Sequence, residues 1–213
     1  MLDYLLNALV TLLVTIDPLG LAPVFVVLTT GMAGSARRQT AYRAVAVAAG
    51  VLVAFALIGE PLIGFLGISL PAFRISGGLL LFAIAFEMIF GLRMARKTNT
   101  AHDAATRDEN DHVAVFPLAI PLISGPGAIS ATILLATRAP SALAMVMLIV
   151  IILLMVGACL AVFLVANRAE ALLGETGRIV VSRLLGLLLA ALAVQFVADG
   201  IIAFATGGGA PHP

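Results

Sequence analysis

A cluster of helix-breaking residues interrupts the first long apolar run of the sequence. Asp17, Pro18, Gly20 and Pro23 fall within seven residues of a stretch that is otherwise hydrophobic. Proline inside a helix removes a backbone hydrogen bond and clashes with the preceding turn, so a helix has to break here. Asp17 before Pro18 is typical of an N-cap followed by the first helical residue, which predicts that a second half-helix begins at Pro18.

The break is significant because the composition is that of a membrane protein. Of the 213 residues 62% are hydrophobic and only 11% are charged, and the mean hydropathy is +1.17. Several uncharged stretches reach the length of about 20 residues that a membrane-spanning helix requires. We therefore predict an all-α polytopic membrane protein, in which protein or a wet cavity must satisfy the backbone groups freed at the break.

Six spans are expected, at roughly 4–29, 40–60, 72–92, 114–137, 140–167 and 178–205. The one long polar connector, 93–113, separates the first half, 1–92, from the second half, 114–205. Its two histidines, His102 and His112, lie among acidic and basic residues, which favours a solvated cytoplasmic linker over a metal site. Residues 206–213 are expected to form a disordered tail.

The two halves resemble each other at an offset of 108 residues, which places Pro18 on Pro126. Pro126 belongs to a second breaker cluster with Ser124, Gly125 and Gly127, also inside an apolar span. Three spans in each half would invert the second copy relative to the first. Broken helices at corresponding positions of two inverted repeats indicate the midplane binding site of a secondary transporter. We therefore predict two inverted three-helix repeats with broken first and fourth helices.

Most candidate substrate-binding residues belong to the two breaker clusters. Half-helices that begin near Pro18 and Pro126 would each direct unpaired N–H groups and about half a positive charge to the midplane, which suits a carboxylate. The glycines leave room for a ligand close to the backbone and so favour a small substrate. With a glutamine from the sixth span, the candidates are Asp17, Pro18, Gly20, Pro23, Ser124, Gly125, Pro126, Gly127 and Gln195.

Three carboxylates are candidates for coupling to a proton or a sodium ion: Asp17, Glu87 and Asp199. A charged carboxylate at the bilayer centre costs roughly 2.5–3.5 kcal/mol, so its presence requires a reason. For Asp17 that reason is either N-capping alone or a direct part in a cation, proton or ammonium site. Contact with headgroup water would equally explain Glu87 and Asp199. Ser124 could cap the second half-helix as Asp17 caps the first, although at the strict offset Gly125 corresponds to Asp17.

The basic residues predict the orientation. Ten follow the first, third and fifth spans, and only Arg74 and Arg138 fall on the other side, which predicts that both termini face the periplasm. The sequence contains no Walker-type loop, no metal-ligand spacing and no nucleophile–base spacing, so we expect neither an enzyme nor a cofactor or metal. No basic stripe interleaved with aromatics indicates nucleic acid. The expected partners are the lipid bilayer and a small solute, and the sequence leaves a homo-oligomer open.

The chain resembles the MarC family of bacterial inner-membrane proteins, and more closely its small-neutral-amino-acid transporter branch. The resemblance is close to full length and depends on four ordered motifs, within Asp17–Phe25, Arg74–Gly78, Pro117–Gly127 and Arg183–Ile201. Where some relatives carry an asparagine this chain has Asp17, which adds a charge. The resemblance implies an inner-membrane transporter, importing or exporting, for glycine, alanine or related amino acids. A channel-like or structural membrane protein without coupled transport is the alternative; two symmetric breaks favour alternating access.

Overall fold

The structure is a computed structural model that describes the backbone of residues 1–105 and 113–208, and their side chains except at 101–105, 166–176, 178, 207 and 208. The secondary structure in these ranges is helical. Its regular helices are α1 Leu2–Ile16, α2 Pro18–Leu28, α3 Gly34–Phe65, α4 Leu70–Ile89, α5 Leu92–Ala105, α6 Pro126–Ala136, α7 Ala142–Leu164 and α8 Ala166–Ala203. An irregular segment, Ala114–Ile123, precedes α6, and a π-helical turn, Phe204–Gly208, follows α8.

Five helical segments of the described ranges are long and apolar enough to cross a membrane: Leu2–Leu28, Gly34–Phe65, Leu70–Ile89, Ala142–Leu164 and Ile179–Thr206. The irregular segment and α6 together make a sixth, which is bent by 56°. This agrees with the all-α polytopic fold and with the six expected spans. The bounds differ most at α8, which begins twelve residues before the expected 178, and at α3, which begins six residues before the expected 40 and ends five residues after 60.

The first helix breaks where the sequence predicts. α1 ends at Ile16, and Asp17 takes the left-handed conformation, with φ 55° and ψ 67°, before α2 begins at Pro18. A positive φ is uncommon outside glycine, and aspartate is one of the residues that tolerates it. One residue therefore ends α1 and caps α2.

The second break is less regular than the first. Phe116 and Ile120 each precede a proline, at 117 and 121, and both have extended backbone angles inside the segment that leads to α6. Extended geometry is what a following proline imposes on its neighbour. A helix then restarts at Pro126, and its N-cap, Gly125, has no side chain with which to cap it. The alternative assignment of Ser124 as the cap is therefore wrong, and the residue at the strict offset holds that position.

The helix bounds of the two halves repeat the sequence offset. α2 begins at 18 and ends at 28, α6 begins at 126 and ends at 136, and α3 and α7 begin at 34 and 142. The same 108 residues separate each pair. The inverted orientation of the two halves stays a prediction.

Small residues let α4 and α8 pack closely along much of their length. A Cβ added at Gly78 would lie 2.9 Å from the carbonyl oxygen of Ala193, and one added at Gly200 would lie 3.0 Å from that of Pro71. Because these neighbours are backbone atoms, a larger residue at either glycine would push the helices apart. This pairing is the close-packed small-residue seam expected of membrane helices.

The connector between the halves is not a loop over its first part. Residues 92–105 form α5, which packs on α2 and α4. A π-helical turn covers Phe204–Gly208, and the disorder of the tail stays a prediction. The predictions for the side chains of His102 and His112, and for residues 209–213, lie outside the described residues.

Candidate functional site

The carbonyl groups freed at the end of α1 are paired with a side chain of α5. Arg93 is 6% exposed, and its Nη1 donates to the carbonyl oxygen of Val14 at 3.3 Å while its Nη2 donates to that of Thr15. The last carbonyls of a helix have no intrahelical partner and carry the negative end of the helix dipole. Arg93 therefore satisfies two orphan acceptors and places a positive charge where the dipole favours one.

The N-terminus of α2 is closed by Asp17. Its Oδ1 accepts from the backbone N–H of Gly20 at 3.0 Å, which is the N-cap bond that the sequence predicts. A Cβ added at Gly20 would lie 2.0 Å from the Asp17 Oδ2. Glycine is therefore needed at position 20 to make room for the Asp17 carboxylate, rather than for a ligand.

The same carboxylate also forms a buried ion pair. Lys97 Nζ lies 3.2 Å from Asp17 Oδ2, and the side chains of Lys97 and Asp17 are 6% and 13% exposed. Asp17 is therefore both a cap and a charged partner. Arg93 and Lys97 lie four residues apart, so they share one face of α5. That face supplies both the cation at the end of α1 and the cation at the start of α2.

Burial perturbs the two cations of α5. Burial lowers the pKa of Lys97 to about 8, and the nearby Asp17 carboxylate opposes that shift. Burial also lowers the pKa of Arg93, again against the effect of Asp17. A guanidinium keeps its charge at neutral pH, whereas the Lys97 ammonium can release its proton slightly above neutrality.

The second break has no such internal partners at its N-terminus. No side chain caps α6, whose first N–H groups, on Gly127 and Ala128, have no partner within the helix. The hydroxyl oxygen of Ser124 is buried and has no hydrogen-bond partner among the described residues. In the described part of the chain, the Ser124 hydroxyl and the first N–H groups of α6 therefore lack the side-chain partners that the first break has.

Both breaks reach one cavity of about 230 Å³, here called the break cavity. It lies between the end of α1, α4, α5, the irregular segment and the start of α6. Its polar lining comes mainly from α5. The lining residues are Thr15, Leu80, Ile84, Arg93, Arg96, Lys97, Thr100, Pro121, Leu122, Gly125, Pro126, Gly127 and Ala128. The structure therefore brings Gly125, Pro126 and Gly127 together with cations that the sequence reasoning did not single out.

A second cavity, of about 300 Å³, lies on the other side of Arg93 and Lys97, which line both. Here the lining includes Asp17 and Glu87 beside Arg183. Glu87 forms an ion pair with Arg96 at 2.9 Å. Two of the three carboxylates proposed for coupling, Asp17 and Glu87, thus line the second cavity and not the break cavity.

The glycines of the second break have packing roles as well. A Cβ at Gly125 would lie 2.6 Å from the carbonyl oxygen of Pro121, and one at Gly127 would lie 2.1 Å from Cδ1 of Ile84. The space next to these glycines is therefore occupied by protein, although both also line the cavity. Pro18 is buried as the first residue of α2, and Pro23 lies within that helix; neither lines the break cavity.

Gln195 and Asp199 lie away from both cavities. Gln195 Nε2 donates to Asp199 Oδ1 at 2.7 Å, and Arg138 forms an ion pair with the same carboxylate. The Arg138 guanidinium also lies 4.3 Å from the centre of the Phe196 ring. Arg138 follows α6, about 18 Å along the helix from the break at 1.5 Å per residue. The structure therefore separates Gln195 from the other candidate substrate-binding residues.

Sequence reasoning missed Arg93 and Lys97 because it assigned them to a solvated connector. The signal that could have found them is their spacing, since residues four apart share a helix face. A second signal is the break itself, because freed carbonyls within a membrane require donors from elsewhere in the protein. Among the described residues no group of three or more His, Cys, Asp or Glu could hold a metal ion.

The chain is similar to known integral membrane proteins over nearly its whole length. The family model described as MarC family integral membrane protein matches residues 2–204. A UPF0056 membrane protein of Methanocaldococcus jannaschii is 36% identical over 203 residues, which cover 94% of this chain and 97% of that protein. The UPF0056 membrane protein YhcE of Escherichia coli is 36% identical over 186 residues, or 87% of this chain and 86% of that protein. No solved structure matches the chain.

Proposed function

Because the chain belongs to the MarC family of integral membrane proteins, we propose that it is a secondary transporter of small neutral amino acids, such as glycine and alanine. The observation that carries this proposal is the meeting of two broken helices at one cavity with buried polar lining. Irregular backbone at membrane depth is tolerated where it is buried in protein or lines a cavity, and transporters use such breaks to bind solutes.

A row of polar side chains lies along α1 and ends at Thr15 in the lining of the break cavity. Asn7, Thr11 and Thr15 lie four residues apart on one face, and Thr11 and Thr15 are 0% and 4% exposed. Thr11 Oγ1 donates to Asn7 Oδ1 at 3.1 Å. On α6, Thr132 is fully buried and its hydroxyl has no partner among the described residues. These groups would give a polar solute intermediate contacts between the cavity and the end of α1 at Leu2.

Ion pairs at two levels of the molecule are suited to serve as gates. Asp17 with Lys97 holds α5 against the first break, and Asp199 with Arg138 joins α8 to the end of α6. In alternating access one of these pairs would open while the other stays closed. An open channel would not need two ion pairs that open in turn.

The test is counterflow of labelled alanine in proteoliposomes. A small cavity should accept glycine and serine as competitors and reject leucine and phenylalanine, because about 230 Å³ must also hold the water that enters with the solute. Transient accumulation of label against unlabelled internal alanine is expected. Downhill leakage without accumulation would favour the channel-like alternative, and equal competition by large and small amino acids would contradict the small site.

A pair of glycine variants makes this test specific to the cavity. In Gly127→Val the new side chain collides with Ile84 and narrows the break cavity, so counterflow is expected to fall at least tenfold. Gly157→Val is the matched control, because a Cβ at Gly157, on an exposed position of α7, meets nothing within 4 Å. Equal activity of the two variants would count against transport through this cavity.

We also propose that the protein lies in the bacterial inner membrane with both termini in the periplasm, as the distribution of basic residues predicts. A C-terminal alkaline phosphatase fusion should then be active and a C-terminal fluorescent protein fusion dark. The opposite pattern would refute this orientation.

A further inference from the structure

The break cavity has a strongly positive lining. Arg93, Arg96 and Lys97 contribute to it, and no acidic residue is among its described lining residues. Arg93 and Lys97 are 6% and 5% exposed, so water screens their charges little. The adjoining cavity differs in that Asp17 and Glu87 also line it. The break cavity is therefore suited to an anion.

Hydrogen-bond donors without partners converge on this cavity. The first N–H groups of α6, on Gly127 and Ala128, lie in its wall and are not capped by a side chain. Arg93 Nε is buried and has no hydrogen-bond partner in the described part of the chain. Lys97 uses one of its three N–H donors for Asp17. An anion in the cavity would find a helix N-terminus and two buried cations.

The first break has a side-chain carboxylate at the N-terminus of its second helix, and the second break has none among the described residues. There the Asp17 carboxylate accepts from the N-terminus of α2 and pairs with Lys97. At the corresponding place in the second break stands Gly125, which has no side chain. Lys97 faces both positions, because it bonds to Asp17 and lines the break cavity.

We propose that the carboxylate of a small solute binds at the N-terminus of α6 beside Lys97 and Arg93, and takes there the place that the Asp17 carboxylate takes at the first break. This proposal rests on the proposed transport function. It specifies in addition that the protein recognises the carboxylate end of the solute. None of the described lining residues is an acid that could pair with an ammonium group, so the carboxylate alone directs binding. Short carboxylic acids without an amino group are therefore ligands too. The volume of about 230 Å³ restricts them to short chains.

The experiment measures binding and so does not depend on transport. Purified protein in phosphatidylcholine nanodiscs is titrated calorimetrically with sodium propionate, with L-alanine and with alaninamide, which has the ammonium group but no carboxylate. Propionate and alanine are expected to bind, and alaninamide at least tenfold more weakly. Absence of propionate binding, or equal binding of alaninamide, would overturn the carboxylate site.

Variants assign the binding to this cavity. Asp17→Asn combined with Lys97→Met removes the ammonium and its buried partner together, and is expected to weaken propionate binding at least tenfold. The matched control is Arg43→Gln, which removes an exposed cation that lines a different cavity and should leave the affinity within twofold. Equal loss in both variants would mean a nonspecific charge effect and would overturn the proposal.

Two further measurements are needed. The first distinguishes a solute site from a lipid site, and the second tests the carboxylate site and the transport function independently of each other. Loss of propionate binding in phosphatidylglycerol nanodiscs would assign the site to a lipid headgroup and overturn it as a solute site. Propionate binding without alanine counterflow would refute the proposed function and leave the site standing. Alanine counterflow that excess propionate does not inhibit would refute the site and leave the function standing.

Discussion

Lys97→Met is expected to lower the free energy of unfolding by about 3–5 kcal/mol, the usual cost of removing one partner of a buried ion pair. The Asp17 carboxylate is 13% exposed and would lose its only cationic partner within 4 Å among the described side chains. The midpoint of thermal unfolding of the purified protein in detergent, compared with that of the wild type, measures the effect.

Two companion variants test the cause. Adding Asp17→Asn to Lys97→Met removes the unpaired charge while asparagine keeps the N-cap, so most of the lost stability should return. Arg96→Met is the matched control on the same helix, because Arg96 is 61% exposed in its pair with Glu87 and such pairs contribute about 1 kcal/mol or less. If the double variant is no more stable than Lys97→Met, the destabilisation comes from lost packing of the lysine stem instead of the buried charge.

Asp17→Asn and Asp17→Ala are expected to separate the charge of Asp17 from its capping role. Lys97 has a pKa of about 8, so the ion pair is present below about pH 8 and is lost as the pH rises through that value. In Asp17→Asn the carboxylate that opposes the effect of burial is gone, and the pKa of Lys97 falls further. Transport by the wild type is expected to change near pH 8, where the ion pair is lost. In Asp17→Asn transport at pH 7 should decrease and this change near pH 8 should disappear, while the protein still inserts and folds.

Asp17→Ala should behave like Asp17→Asn in transport and should be less stable than Asp17→Asn. Alanine provides no N-cap and is strained at φ 55°, which together cost about 2 kcal/mol. Counterflow of labelled alanine between pH 6 and 9 and thermal unfolding of both variants are the measurements. If Asp17→Asn retains full transport with unchanged pH dependence, Asp17 is only a cap, and its assignment to the ligand or coupling site has to be dropped.

Local chemistry explains why the helix breaks could be predicted. Pro18 and Pro126 lack a backbone N–H, which makes them well suited to the first position of a helix, and each begins one here. Asp17 as the N-cap of α2 follows from the same rule, and it is the residue found there. The small residues Gly78 and Gly186 let α4 and α8 approach closely, because a backbone can approach closely only where side chains are small.

The candidate site was predicted in part. Gly125, Pro126 and Gly127 line the break cavity, and Asp17 lies directly behind it, bonded to Lys97. Gln195 is a candidate because it is a polar residue of the sixth span, but its place in the sequence does not determine which part of the protein its side chain contacts. In the structure Gln195 is exposed and bonded to Asp199.

The sequence by itself determined the membrane class, the helical spans, both breaks and the residue that caps α2, because hydropathy, proline geometry and capping act between residues close in the chain. Only the tertiary structure decided that α5 lies against the first break, with Arg93 on the carbonyls of α1 and Lys97 on Asp17. A polar segment after the third span is equally compatible with solvent and with a buried partner. The choice depends on freed backbone groups nearly 80 residues earlier in the chain, whose unmet hydrogen bonds within the membrane make burial of two cations favourable.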